Sequence, residues 1–392
     1  MGAASTRFGW SLAVVQLFFT LAWTTYAIYL PKLAASAGIA AGAVIVILML
    51  DQAVFTVCDF ATGIAADRVT RTLGRLGVYV TAATALSCLA FLALPFLAPA
   101  GAAVFLALTL VWTATSSALR APPLMLLGKY TAKPQQPFLA SLALLGSGVA
   151  GALAPYLAVV LRERDPRWPF ALASLAVILA TLGMVAAERR LKPEAPKPQA
   201  PAFGRLDARA ALFAIALIVL ALGYQVHFAL ESAPMYLRFA GQADLAWLMP
   251  VFWVGFNITM FPAGWLTRRI GGYAVMGAGG LIGALAIVAA HFADGLGFLI
   301  AAQALAGGAW GAILMSAYIV AFSLGENGGE GRLTGILFSA LAIATFARMS
   351  AVAAGYASDP ALKAALAWVP TLCWAAAGAA LLALGWRLVR RT

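Results

Sequence analysis

Twelve apolar runs, each longer than the ~18 residues expected of a membrane helix, restrict what this chain can fold into. They fall at roughly 8–31, 38–66, 76–98, 102–127, 136–161, 168–188, 209–238, 245–267, 272–293, 297–323, 332–357 and 363–388. Crossing about 30 Å of hydrocarbon takes roughly 20 helical residues, so each run can span a bilayer. Of the 392 residues, 63% are hydrophobic and only 10% are charged. A soluble domain carries about 25% charged residues, so the solvent for most of this surface is lipid.

The net charge of +12 does not point to a nucleic-acid partner, because the basic residues are sorted by topology. Assigned to alternating sides, 18 of the 26 Lys and Arg lie on the side of the N-terminus, among them Arg7, Lys129, Arg189, Arg190 and Arg269. Six lie opposite, and two, Arg120 and Arg348, fall within spans. This bias predicts a multi-pass protein of a bacterial-type inner (plasma) membrane with both termini cytoplasmic. The positive balance also draws the chain to the headgroups of membrane lipids. Cys58, Cys88 and Cys373 all lie in apolar runs without a CxxC or Cys/His pattern, and read as packing residues. The first run is too long for a signal-peptide core and eleven more follow it.

Between the sixth and seventh runs, the segment from Glu188 to Pro201 carries four prolines and several charges. It reads as an extended linker. The chain divides into residues 1–188, a linker at 189–208, and residues 209–392. Repetition supports the division. Phe138-Leu-Ala-Ser141 in span 5 echoes Leu337-Phe-Ser339 in span 11, and Trp112 and Trp310 occupy equivalent places. Many secondary transporters arise by such duplication, with substrate held near midplane between the halves.

Span 2 ends in Asp59-Phe-Ala-Thr-Gly63-Ile-Ala-Ala-Asp67-Arg68-Val-Thr-Arg71-Thr-Leu-Gly74-Arg75, read as an apolar helix turning into a short basic loop. A fainter copy, Gly264-Trp-Leu-Thr-Arg268-Arg269-Ile-Gly-Gly272, follows 201 residues later. A glycine, Asp-Arg four residues on, and Gly-Arg after a spacer resemble the loop motif of the major facilitator superfamily of transporters. The resemblance implies an all-α integral membrane fold of 12 transmembrane helices in two pseudo-symmetric six-helix bundles. Between them would lie a canyon lined mainly by spans 1, 4, 7 and 10. It also implies a latch on the cytoplasmic side, with Asp67 near the start of span 11, where the helix dipole favours a carboxylate. Gly63, Asp67, Arg68, Arg71, Gly74 and Arg75 would form it, with Glu326 and Glu330 as acidic partners for the arginines. In the copy at Gly264, Arg268 replaces the acid, so a weaker latch or none is expected.

An ionisable side chain at the bilayer centre costs ~2.5–3.5 kcal/mol on insertion scales, which makes each one a functional candidate. Asp51 and Asp59 stand eight residues apart in span 2, about 12 Å along one face. Asp59 and Arg120 of span 4 share a depth at which they can form a structural ion pair. Pro122 and Pro123, just past Arg120, free backbone carbonyls and can bend span 4. Asp51 has no evident partner in its own half, which would suit a proton carrier. Arg348 of span 11 can pair with Asp51 across the canyon, hold a substrate carboxylate or phosphate, or form a permanent buried pair. His227 and Glu231 of span 7 are four residues apart and share a helix face, a proton-responsive arrangement. Met235 adds a third possible metal ligand one turn on, but no dense His/Cys/Met set occurs elsewhere and no metal site is assigned. His291 is expected at the outer interface, without a part in the mechanism.

Proton-coupling candidates are therefore Asp51, Asp59, His227 and Glu231. Substrate-binding candidates are Arg120 and Arg348 with Tyr26, Trp112, Tyr224, Gln225, Asn257, Gln303 and Trp310; Thr24, Thr25, Ser116 and Ser117 accompany them. Any of these polar groups can instead make an ordinary interhelical hydrogen bond, worth ~0.6 kcal/mol.

Asp51, Asp59, Gly63, the Asp67-Arg68 pair and the Gly74-Arg75 pair also look like the second-span pattern of the glycoside–pentoside–hexuronide cation symporters. Where that family has a further acid this chain has Phe55, and where it has a proline this chain has Phe60. The missing carboxylate removes a sodium ligand and favours protons. The expected protein is a monomeric secondary transporter of a small organic solute, with a lean to carboxylates from Arg120 and Arg348. An efflux pump for amphipathic compounds, suggested by the tryptophans, and a non-transporting sensor or assembly protein of the same fold are the alternatives. No Ser/His/Asp, Cys/His or metal-ligand arrangement supports an enzyme, and no cofactor is expected.

Overall fold

The computed structural model describes residues 3–73, 76–191, 208–326, 328–356 and 358–389. Among them there is no strand, and twelve helices are long and apolar enough to cross a membrane. These are α1 (Ala4–Ser36), α2 (Ala41–Thr70), α3 (Gly77–Ala100), α4 (Ala102–Tyr130), α5 (Lys133–Leu161), α6 (Arg167–Glu188), α7 (Ala208–Tyr236), α8 (Gln242–Ile270), α9 (Gly272–His291), α10 (Leu296–Gly325), α11 (Glu330–Ala353) and α12 (Pro360–Trp386). A helix bonds every backbone N–H and C=O within its own segment, which a lipid solvent requires.

One expectation changes. The helix of α2 runs on unbroken through Val44–Leu73, so Asp67 and Arg68 stand on its last turns and not in a loop. Polar residues end the membrane-embedded part, but no helix breaker lies between Gly63 and Leu73 to end the helix itself. Most of the expected linker, residues 192–207, lies outside the described residues.

Two helices break where their sequences require it. In α4 the α-helix stops at Ser116, a 3₁₀ turn covers Ser117–Leu119, and the α-helix resumes at Ala121. Pro122 and Pro123 have no N–H to donate to the preceding turn. The carbonyl of Leu119 is satisfied instead by Gln16 Nε2 of α1, at 3.1 Å. In α7 a π-turn occupies His227–Glu231, shortly before Pro234. Such widened turns often mark functional sites.

The two halves repeat one contact network. In the first, α1 packs on α5 and α6, and α3 on α4 and α6; six helices later, α7 packs on α11 and α12, and α9 on α10 and α12. Between the halves, α2 packs on α11 and α5 on α8. Individual side chains repeat as well. The rings of Tyr26 and Trp112 lie 4.5 Å apart, as do those of Tyr224 and Trp310, their counterparts 198 positions on. Ser141 Oγ donates to Met260 O across the α5–α8 contact (3.1 Å), and Ser339 Oγ donates to Thr56 O across the α11–α2 contact (2.7 Å). These serines are also 198 positions apart.

Candidate functional site

Asp51 is fully buried in α2 and is not without partners. Tyr26 of α1 donates to its Oδ2 at 2.9 Å and Thr113 of α4 to its Oδ1 at 2.7 Å. Both donors are neutral hydroxyls within the first half, which corrects the expectation of an unpartnered acid. Tyr26 and Trp112 are themselves buried, packed with Trp23, Phe55 and Phe91, and form the wall of this half more than an open surface.

Eight residues further along α2, Asp59 is fully buried, and Arg120 Nη1 lies 2.9 Å from its Oδ2. The pair that shared depth suggested is formed. The Arg120 guanidinium sits over the rings of Phe55 (4.4 Å) and Phe338 (5.0 Å), the latter on α11 of the other half. Tyr318 of α10 lies within electrostatic reach of it.

In the second half, Tyr224 stacks on Trp310 with ring planes 6° apart, and Phe252 lies 5.7 Å from the same tyrosine. Arg348 is within electrostatic reach of Tyr224, and its Nε is buried without a hydrogen-bond partner. No ion pair joins it to Asp51 or to another acid among the described residues.

His227 and Glu231 do not form the expected couple, because the π-turn between them sends the two side chains to different neighbours. His227 Nε2 bonds Gln303 Oε1 of α10 at 3.0 Å, which places its hydrogen on Nε2. Gln303 Nε2 in turn points at Met235 Sδ, 3.7 Å away. Glu231 Oε2 has no hydrogen bond and faces His291 Nε2 of α9 at 4.0 Å. His291 Nδ1 donates to Ile287 O at 3.0 Å, so in the neutral ring the unprotonated Nε2 is the nitrogen turned to Glu231. His291 therefore stands beside Glu231, stacked on Trp368. Tyr356, in the loop after α11, has its phenol pushed up by burial and by the charge of Glu231.

Other candidates are occupied locally. Thr24 and Thr25 donate to carbonyls one turn back in α1, and Ser116 does the same in α4. Gln225 is half-buried on α7. Asn257 of α8 faces Gly148 of α5, its Oδ1 buried without a partner. Among the described residues no group of three His, Cys, Asp or Glu could hold a metal ion.

At the end of the molecule that carries the N-terminus, α2 of one half is joined to α11 of the other. Asp67 Oδ1 accepts from Gly331 N and Oδ2 from Arg332 N, each at 2.8 Å, in the first turn of α11. Gly63 lets the helices approach this closely, since a Cβ there would collide with the carbonyl of Gly331. Lys133 and Glu326 pair across the halves at 2.8 Å, so this acid serves a lysine. In the second copy Arg268 Nη1 donates to Pro134 O at 3.3 Å, a single long bond, and a Cβ on Gly264 would find its nearest neighbour at 3.4 Å. The side chain of Arg71, and Gly74 and Arg75 entirely, lie outside the described residues. A cavity of about 790 Å³ lies at this same end, bordered by Lys133, Arg268 and Glu326, away from the mid-depth groups.

Sequence reasoning missed Thr113 and Tyr318, and named His291 without joining it to Glu231. Thr113 adjoins Trp112 at the depth of Asp51, and Tyr318 follows Trp310 by two helical turns, spacings that could have found both.

Comparison with known proteins follows the same lines. Solved structures with the same fold include the E. coli fucose:proton symporter FucP (14% identity, TM-score 0.69, covering 98% of this chain and 99% of that one). They also include the human organic anion transporter MFSD10 (TETRAN; 14%, 0.70, 99% and 100%). A bacterial homologue of the iron transporter ferroportin in an outward-facing state is a third (13%, 0.71, 96% and 98%). No curated protein matches the sequence. The family model described as Major Facilitator Superfamily matches residues 12–347. With its twelve spans, doubled contact network and sealed α2–α11 contact, this multi-pass membrane protein belongs to the Major Facilitator Superfamily of secondary transporters.

Proposed function

We propose that this protein carries a small organic anion, a carboxylate above all, by proton-linked alternating access across a bacterial-type inner membrane. Arg348 carries the proposal. A guanidinium inside a membrane span without a counter-charge among the described residues is costly, and a substrate carboxylate would supply two parallel charge-assisted hydrogen bonds. Arg120 is already neutralised by Asp59 and is assigned a structural role. The organic anion transporter among the structural neighbours is in keeping with such a substrate, and the fucose:proton symporter with coupling to protons.

Glu231 and His291 are the proposed proton site. A carboxyl oxygen without a hydrogen bond faces an unprotonated imidazole nitrogen at 4.0 Å, and a rotamer change that closes this gap to hydrogen-bond distance would let the two share one proton. Asp51, held by two hydroxyls, is assigned to fixing α1, α2 and α4 together. The halves, residues 1–188 and 209–392, would rock as units about the linker in a monomer. Both termini would be cytoplasmic, and the Asp67 contact would close the cytoplasmic end while solute enters from outside.

A second reading, efflux of amphipathic compounds, draws on the aromatic cluster of Tyr224, Phe228, Phe252, Trp253 and Trp310. Purified protein in liposomes under an imposed pH gradient separates the two. Radiolabelled carboxylates should move with protons, and Arg348→Gln should abolish that flux while leaving the melting temperature unchanged. Unimpaired carboxylate flux in Arg348→Gln would refute the anion assignment; flux only of lipophilic cations would favour efflux.

A further inference from the structure

On the lipid-facing side of the first half, away from the canyon, α1 and α6 enclose a groove of about 780 Å³. Val14 and Phe18 of α1 and Leu175 and Gly183 of α6 line its length, and Arg7 and Arg190 stand at one end. No acid lines it. Among the described residues neither arginine has an acidic partner. Glu188, the acid nearest Arg190 in sequence, accepts from Leu76 N at 2.9 Å at the start of α3.

On α1 the lining rises about 17 Å from Arg7 to Phe18, and on α6 about 24 Å from Glu188 to Leu172, so the groove runs from the side of the termini through one leaflet and past the midplane of the ~30 Å core. Gly183 lies about 10 Å deeper in the membrane than Arg190. A Cβ added there would meet nothing within 4 Å, so the groove is open at that depth.

We infer that this groove binds one anionic phospholipid from the leaflet on the side of the termini. An acyl chain lies between α1 and α6 past Gly183, and the phosphate sits between Arg7 and Arg190. Two guanidiniums without counter-charges complement a headgroup of net negative charge. A zwitterionic headgroup would bring its own ammonium against them.

Native mass spectrometry of the detergent-purified protein, mixed with equimolar phosphatidylglycerol and phosphatidylcholine, tests the site. Wild type should retain one phosphatidylglycerol in preference to phosphatidylcholine. Arg7→Gln and Arg190→Gln should each weaken that retention about fivefold, the effect of one basic residue near an anionic surface. Gly183→Phe should displace the chain and lower retention of both lipids, while inorganic phosphate should not compete. Arg269→Gln, an exposed arginine on the same side stacked over Trp265 (4.1 Å), should change nothing. Equal retention of the two lipids by wild type, an Arg269→Gln loss matching that of Arg7→Gln, or displacement by phosphate would each overturn the inference. Elution as a single symmetric species identifies the variants that remain folded.

Discussion

Replacing Asp67 by asparagine tests whether the contact between α2 and α11 sets the balance of the two transport states. Asp67 accepts from two backbone amides at 2.8 Å, both in the first turn of α11. Hydrogen bonds to a charged acceptor contribute ~1.5–3 kcal/mol each, and a carboxylate at a helix N-terminus gains ~0.3–1 kcal/mol more. Asparagine keeps one acceptor and loses the charge and the other, a loss of about 2 kcal/mol. At about 1.4 kcal/mol per tenfold, the sealed state should fall about thirtyfold relative to the state open at this end. Asp67→Ala, which removes both acceptors, should exceed that. Lys133 and Glu326, whose side-chain ends lie 2.8 Å apart across the halves, supply the readout when replaced by cysteines in a background lacking Cys58, Cys88 and Cys373 and bridged by a bifunctional thiol reagent as long as the original pair. Cross-linking by that reagent should slow in Asp67→Asn, by up to about thirtyfold, and further in Asp67→Ala. Unchanged cross-linking rates in both variants would refute the latch argument.

Asp59→Asn should destabilise the protein by ~3–5 kcal/mol by leaving Arg120 buried without a counter-charge, and adding Arg120→Gln should recover most of the loss in thermal melting. Gly63→Ala should cost ~1–3 kcal/mol, because the obstructing atom is a backbone carbonyl, whereas Gly264→Ala should melt as wild type. Glu231→Gln should retain solute exchange across liposomes but lose accumulation driven by a pH gradient; persistence of that accumulation would remove Glu231 from coupling.

Much of this was legible in the sequence because charge is so constrained in lipid. Asp59 and Arg120 could be matched by depth alone, and Asp67 could be placed by its motif and by its affinity for a helix N-terminus. The donors to Asp51 were hidden, since Tyr26 and Thr113 are neutral hydroxyls on other helices and their meeting depends on how α1, α2 and α4 are rotated. His227 and Glu231 were misjudged because a period of 3.6 was assumed through a segment that forms a π-turn. The helix beyond Gly63 read as a loop because polarity marks where lipid ends, not where backbone hydrogen bonding ends.

The repeat also shows where the halves have parted. It preserves the Tyr–Trp stacks and the serines that bridge the halves, yet 198 positions after Asp59 and Arg120 stand Asn257 and Tyr318. Where the first half has a buried ion pair, the second has a neutral amide and a phenol. That half instead holds Arg348, without an ion-pair partner among the described residues, and Glu231, whose Oε2 has no hydrogen bond among them. Arg348 stands on α11 and Glu231 on α7, two helices packed against each other, with His291 alongside on α9. The proposed solute and proton sites are then neighbours in one bundle, not partners across the canyon. Protonation of Glu231 would act on the anion site through the α7–α11 contact, and the first half, its Asp59–Arg120 pair already closed, would serve as the surface against which the second half rocks.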